Sequence, residues 1–190
     1  MPPTDQHGEP HDQAAPSAEI VLEEDDGAMH RFETETHEID ITGDGRADGL
    51  RRVSREVREV DLSGDGVTDV YETTTIEETS IDVDGDGIPD IISTVETSEI
   101  EMDLDGDGEA DSVEITEVRT VAHDIDGDGS PDVTRTEVIT ASAIDPDESG
   151  EYRDVETAGV RLYGMDTTGD GSIDEVMAEE IDVEVVVGDD

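Results

Sequence analysis

The segment Asp82-Val83-Asp84-Gly85-Asp86-Gly87-Ile88-Pro89-Asp90 decides how this chain is read. Carboxylates stand at its positions 1, 3, 5 and 9, and two glycines between them allow the sharp turn that brings such side chains together. The pattern D-x-[DTS]-G-D-G-x-x-D opens at Asp40, Asp61, Asp82, Asp103, Asp124 and Asp166, a repeat of 21 residues whose last interval spans two units. The missing opening falls at Asp145. There, Asp145-Pro146-Asp147-Glu148-Ser149-Gly150 keeps two of the pattern's carboxylates and a glycine, but Arg153 takes the ninth place and Asp154 has slipped by one. This segment reads as a decayed or altered loop.

Working outward, about twelve residues separate one loop from the next, as in Ser112-Val113-Glu114-Ile115-Thr116-Glu117-Val118-Arg119-Thr120-Val121. Such a stretch partly alternates and lacks internal Gly or Pro, which predicts strands. Apolar residues recur before the loops (Val60, Ile81, Met102, Ile144, Met165), at the second loop position (Ile41, Leu62, Val83, Leu104, Ile125) and just after (Leu50, Tyr71, Ile92, Val113). Hydrophobic contacts are therefore expected beside the loops. Leu50, Val53, Val57 and Val60 follow helical spacing, but later units do not share it, and the array as a whole outweighs one member.

The expected fold class is all-β, an array of 21-residue units running from 19 to 190 behind a disordered N-terminal tail over 1–18. Two arrangements fit the unit: an antiparallel meander with loops at alternate ends, or a β-solenoid with one unit per coil. In a solenoid, neighbouring loops would stack about 4.8 Å apart and crowd their charges, whereas a meander doubles that distance, which favours the meander.

Composition agrees with a thin structure. Ile, Val, Leu and Phe total 41 of 190 residues, near the level at which chains stay unfolded, so something besides apolar burial must help. Val and Ile far outnumber Leu, which suits strands. With 57 acidic against 10 basic residues, the net charge is −47, a surface that repels nucleic acid and anionic membranes and attracts cations or basic partners. Neither Lys nor Cys occurs, which excludes lysine Schiff-base chemistry, disulfides, thiol nucleophiles and sulfur-ligated zinc. The start, Met1-Pro2-Pro3-Thr4-Asp5, lacks the pattern of a secretory signal, and no apolar run reaches membrane-spanning length, so no membrane insertion is expected.

Ca²⁺ takes six to eight oxygens at about 2.3–2.6 Å, and the loops offer the right atoms. In the first complete loop the expected ligands are Asp82, Asp84, Asp86 and Asp90 with the Ile88 carbonyl. The same set recurs as Asp103, Asp105, Asp107, Asp111 with Glu109, and as Asp124, Asp126, Asp128, Asp132 with Ser130. Three further loops carry a hydroxyl at position 3: Asp40, Thr42, Asp44, Asp48; Asp61, Ser63, Asp65, Asp69; and Asp166, Thr168, Asp170, Asp174. With one charge fewer, they should bind more loosely. Magnesium prefers a stricter octahedron with several waters, and zinc prefers His or Cys.

These loops resemble the calcium loops of EF-hand and dockerin proteins, thrombospondin type 3 repeats and FG-GAP repeats. The resemblance covers nine residues per unit; the cysteines of thrombospondin repeats are absent, and position 12 holds Arg51, Glu72, Ser93, Glu114, Arg135 or Met177 where an EF-hand carries Glu. It implies calcium ligation by positions 1, 3, 5 and 9 with a mainly structural ion, and leaves the parent fold behind.

The expected function is calcium binding by tandem loops, giving a calcium-stabilised structural or interaction module. A soluble calcium buffer or sensor is the alternative. Partners would be calcium ions and another protein or further copies of the chain through open sheet edges. Calcium abundance points outside the cell, without fixing a compartment. No enzyme is expected, since His7, His11, His30, His37 and His123 sit in unlike contexts and no nucleophile motif occurs. Arg46, Arg51, Arg52, Arg55 and Arg58 form the one basic cluster, expected to pair with nearby Glu.

Overall fold

The computed structural model describes residues 19–25, 28–145 and 153–183, with side chains described from 28 to 145 and from 155 to 183. The expected tail over 1–18 lies outside them, as does most of the altered segment after Asp145. Nine strands form among the described residues: β1 (Glu19–Asp25), β2 (Ala28–Ile39), β3 (Gly49–Val60), β4 (Val70–Ile81), β5 (Ile91–Met102), β6 (Ser112–His123), β7 (Val133–Ile144), β8 (Arg153–Met165) and β9 (Glu175–Glu180). They make one sheet in chain order, each strand antiparallel to the next. The fold is the all-β meander, and the solenoid arrangement is not adopted.

The register explains the strictness of the repeat. Strands β2 to β7 have 12 residues each and pair end to end without offset, so that Ala28, Val60, Val70, Met102, Ser112 and Ile144 stand in one file across the sheet. A unit one residue longer would invert every side chain beyond it. The departure occurs where the pattern has decayed: β8 has 13 residues, and its pairing with β7 shifts between Ser142 and Ile144. The helical spacing of Leu50, Val53, Val57 and Val60 does not produce a helix. That segment is β3, hydrogen-bonded along its whole length to β2 and β4. Two ladders outweigh local periodicity.

The sheet is a single layer. Among the described residues only Ala28 and Val57 are buried apolar side chains, and no side chain is less than 2% exposed. The expectation that second-position loop residues make hydrophobic contacts needs correction: Ile41, Leu62, Val83, Leu104 and Ile125 are 60–74% exposed. Their backbone amides are held inside the loops, which turns their side chains outward.

Without a packed core, cohesion comes from backbone ladders and cross-strand pairs on both faces. On one face Val118, Val138 and Val160 are adjacent, and hydroxyls meet at Thr34–Ser54 (3.3 Å) and Thr120–Thr136 (3.1 Å). The other face carries a file of alternating charge. Arg161 donates from Nε to Glu137 at 2.6 Å and from a terminal nitrogen to Glu179 at 2.8 Å, joining β7, β8 and β9. The expected pairing of the basic cluster holds for Arg51 with Glu77 (2.7 Å) and Arg58 with Glu72 (3.6 Å).

Candidate metal centres in the turns

Each nine-residue turn is organised by its own carboxylates. In the loop 124–132, Asp124 accepts from Gly127 N–H at 2.8 Å on one oxygen and from Gly129 N–H at 2.7 Å on the other. Asp132 reaches back to accept from Ile125 N–H (2.5 Å) and Asp126 N–H (3.2 Å). Asp126 accepts from Asp128 N–H at 3.2 Å, and Asp128 from Ser130 N–H at 2.8 Å. The backbone closes the turn, Asp132 N–H donating to His123 C=O at 2.8 Å. Every polar residue of the pattern thus has a structural duty. The glycines at positions 4 and 6 have φ between +69° and +95° in all six intact loops, the region that disfavours other residues.

The loop 103–111 repeats these bonds, with Asp103 accepting from Gly106 (2.7 Å) and Gly108 (2.8 Å), Asp111 from Leu104 (2.5 Å), Asp105 from Asp107 (3.0 Å) and Asp107 from Glu109 (2.8 Å). In the loop 82–90, Asp82 accepts from Gly85 (2.7 Å) and Gly87 (2.8 Å), Asp90 from Val83 (2.5 Å), Asp84 from Asp86 (3.1 Å) and Asp86 from Ile88 (2.8 Å).

The hydroxyl loops keep the frame. Asp40, Asp61 and Asp166 each accept from their two glycines, while Asp44, Asp65 and Asp170 accept from Arg46, Val67 and Ser172. Thr42, Ser63 and Thr168 donate backbone N–H to Asp48 (2.9 Å), Asp69 (2.8 Å) and Asp174 (3.1 Å), and their hydroxyls lie 3.3–3.4 Å from the first carboxylate.

Three groups bring carboxylate oxygens within 4.8 Å of one another: Asp82, Asp84 and Asp86; Asp103, Asp105 and Asp111; Asp124, Asp126 and Asp132. Oxygens on opposite sides of one Ca²⁺ lie about 4.6–5.2 Å apart, so each triad is placed to hold a metal ion. The triads fall in the three loops with Asp at position 3. Asp90, Asp107 and Asp128 stand outside them, and the hydroxyl loops contribute no such carboxylate group among the described residues.

The electrostatics follow the geometry. For Asp126, the Asp128 N–H pulls the pKa down, but desolvation and the charges of Asp128, Asp132 and Asp124 outweigh it, and the carboxyl ends above its usual value. At Asp61 the Gly66 and Gly64 amides hold the carboxyl below the usual value. At Asp103 and Asp166 desolvation is the largest single influence and acts upward, yet the combined N–H donors, led by the two loop glycines, leave both lowered. Asp48 is lowered as well, chiefly by the Thr42 N–H. Asp61, Asp103 and Asp166 are therefore held ionised by their loop amides, while Asp126 feels its neighbours' repulsion.

Two features escaped the sequence reading. Loops at the same end of the sheet are hydrogen-bonded to one another: Asp124 N–H donates to Asp90 C=O at 3.0 Å, and Asp103 N–H to Asp69 C=O at 2.9 Å. The signal was present in the constant spacing, but only the meander shows that alternate loops meet. Asp145 of the altered segment is, with Asp103 and Asp124, among the few buried carboxyl residues, and its N–H donates to Asp111 C=O at 2.8 Å. It keeps the structural place of a first-position aspartate.

Fold and site together define an acidic, single-sheet repeat protein whose turns carry aspartate triads able to hold metal ions. No protein-family model matches the chain, and neither the curated proteins nor the solved structures provide a match.

Proposed function

We propose that this chain is a calcium-binding structural or interaction module, in which ions held by the Asp-rich turns brace a sheet that has almost no core of its own. The observation that carries this reading is the convergence of Asp124, Asp126 and Asp132, with its counterparts at Asp82 and Asp103. All the donors are oxygens, which suits a hard cation, and several anionic ligands within one flexible turn suit calcium better than magnesium. Asp90, Asp107 and Asp128, the carboxylates outside the triads, and the seventh carbonyls of Ile88, Glu109 and Ser130 would fill out the shell. The loops with Thr42, Ser63 and Thr168 are the weaker sites.

Folding should be linked to the ion. Carboxylates crowded in one turn repel one another, a cation removes that repulsion, and binding free energy becomes folding free energy. No catalytic role is proposed. A binding partner at the β9 edge would be basic, since Glu175, Glu179 and Glu180 are all exposed there.

The test is circular dichroism of the full chain in EGTA during calcium titration, with magnesium as control. A gain of β signal with calcium alone is expected. A spectrum already folded in chelator and unchanged by calcium would overturn the proposal. The midpoint separates a structural ion from the alternative buffer or sensor, because sites that fill only near millimolar calcium cannot buffer micromolar levels.

A further inference from the structure

We propose that the calcium loops act as two independent rows, with positive coupling between alternate loops of the chain and none between consecutive ones. This rests on the calcium reading above and adds how the sites regulate one another. The meander sends the loops opening at Asp40, Asp82, Asp124 and Asp166 to one end of the sheet, and those opening at Asp61 and Asp103 to the other, beside Asp145. Twelve-residue strands hold the ends about 40 Å apart, whereas loops in one row are two strands, or about 10 Å, apart.

Within a row the contact runs from ligand to ligand. The ninth-position aspartate of one loop accepts, through its backbone carbonyl, the N–H of the first-position aspartate of the next: Asp48 from Asp82 (2.8 Å), Asp90 from Asp124 (3.0 Å) and Asp132 from Asp166 (2.8 Å). The other row repeats this with Asp69 and Asp103 (2.9 Å) and with Asp111 and Asp145 (2.8 Å).

Side chains add a second link. A Cβ at Gly129 would lie 3.8 Å from Ile88 Cγ2, and one at Gly171 would lie 2.9 Å from Ser130 Oγ. The seventh residue of one loop thus rests on the sixth glycine of the next, and that glycine's N–H holds the first carboxylate, Asp124 or Asp166, at 2.7 Å. In the opposite row, Thr68, Asp69 and Tyr71 share a cleft of about 230 Å³ with Asp103, Gly108 and Ala110.

An ion that fixes positions 7 and 9 of one loop therefore orders positions 1 and 6 of its row neighbour, which then loses less freedom when its own ion arrives. Repulsion between the ions opposes this, but over about 10 Å it is largely screened at 0.15 M salt, where the Debye length is about 8 Å. Across the sheet neither effect reaches.

The experiment follows the backbone amides of Gly87, Gly108 and Gly171 by NMR during calcium titration of the full chain at 0.15 M salt, in the native sequence and in Asp126→Ala. Asp126 is an exposed ligand that takes no part in the bonds between loops. Losing the ion in the loop 124–132 should raise the calcium midpoints at Gly87 and Gly171 by about fivefold or more, and leave Gly108 within about twofold, although its loop is the nearer in sequence. Unchanged midpoints at Gly87 and Gly171, or an equal shift at Gly108, would overturn the proposal while leaving calcium binding intact. If the native glycine amides ignore calcium altogether, the calcium reading itself fails. Asp126→Asn, which keeps an acceptor for the Asp128 N–H, covers the case in which Asp126→Ala does not fold: it should raise the midpoints at Gly87 and Gly171 and spare Gly108, and unmoved Gly87 and Gly171 count against the coupling.

Discussion

Asp132 Oδ2 accepts the backbone N–H of Ile125 at 2.5 Å, so the last carboxylate of the turn reaches back to its second residue. The same bond joins Asp90 to Val83 and Asp111 to Leu104. It makes the ninth aspartate a clamp on the turn as well as a candidate ligand. Asp132→Asn keeps an acceptor for the clamp but removes a charge, whereas Asp132→Ala removes both. At saturating calcium, with the other loops filled, Asp132→Ala should be the less stable of the two by about 1 kcal/mol, read from urea unfolding. Both should lose calcium at that loop, seen as a missing stoichiometric equivalent in calorimetry.

The glycines separate conformational from steric cost. Gly85 has φ +81° and open space where a Cβ would go, so Gly85→Ala should destabilise by about 1–2 kcal/mol through backbone strain alone. Gly49, at the start of β3, has an ordinary φ, but a Cβ there would run into the backbone carbonyl of Ser80. Gly49→Ala should cost about 1–3 kcal/mol and disturb the β3–β4 pairing. Denaturant unfolding gives the magnitudes, and amide exchange in β4 distinguishes the causes.

Acid should act on the metal-free turns in order. Asp126 is raised above the ordinary aspartate value of 3.8, so its ionisation disfavours the folded loop; the penalty is absent below that value and complete above the raised folded pKa. Asp61, Asp103 and Asp166 are lowered, so their contribution is full above 3.8 and is lost as pH falls through their depressed folded values. On acidification in chelator, Asp126 should protonate first without change in the β signal that remains there, and that signal should be lost below about pH 4. Carboxyl carbon shifts by NMR, recorded beside circular dichroism, test the order. Reversal, with Asp103 titrating above Asp126, would contradict it.

Arg161 should matter locally. Its guanidinium holds Glu137 below the usual carboxyl range and binds Glu179, which ties the short edge strand β9 to the sheet. Arg161→Gln should speed amide exchange in β9 severalfold while leaving β3 to β5 unchanged, because exposed pairs contribute little to global stability. Uniform acceleration across the sheet would assign Arg161 a wider role.

Much of this molecule was legible in the residues. The 21-residue spacing marked both strands and turns, since about twelve residues with little Gly and no Pro alternate with nine rich in both Gly and Asp. Asp at position 3 marked the loops at 82, 103 and 124, and these are the ones whose carboxylates converge. Less legible was the fate of Leu62 and Leu104. Apolar type suggested contact, but among the described residues no second layer covers them, and the turn spends their amides on Asp69 and Asp111.

The sequence by itself determined the strand periods, the turn chemistry and the ligand types, because these depend on residues within one repeat and on the φ freedom of glycine. Only the tertiary structure decided that alternate loops meet and consecutive ones do not. That follows from chain reversal at every turn, which sets Asp90 beside Asp124 through a backbone hydrogen bond that no local pattern encodes.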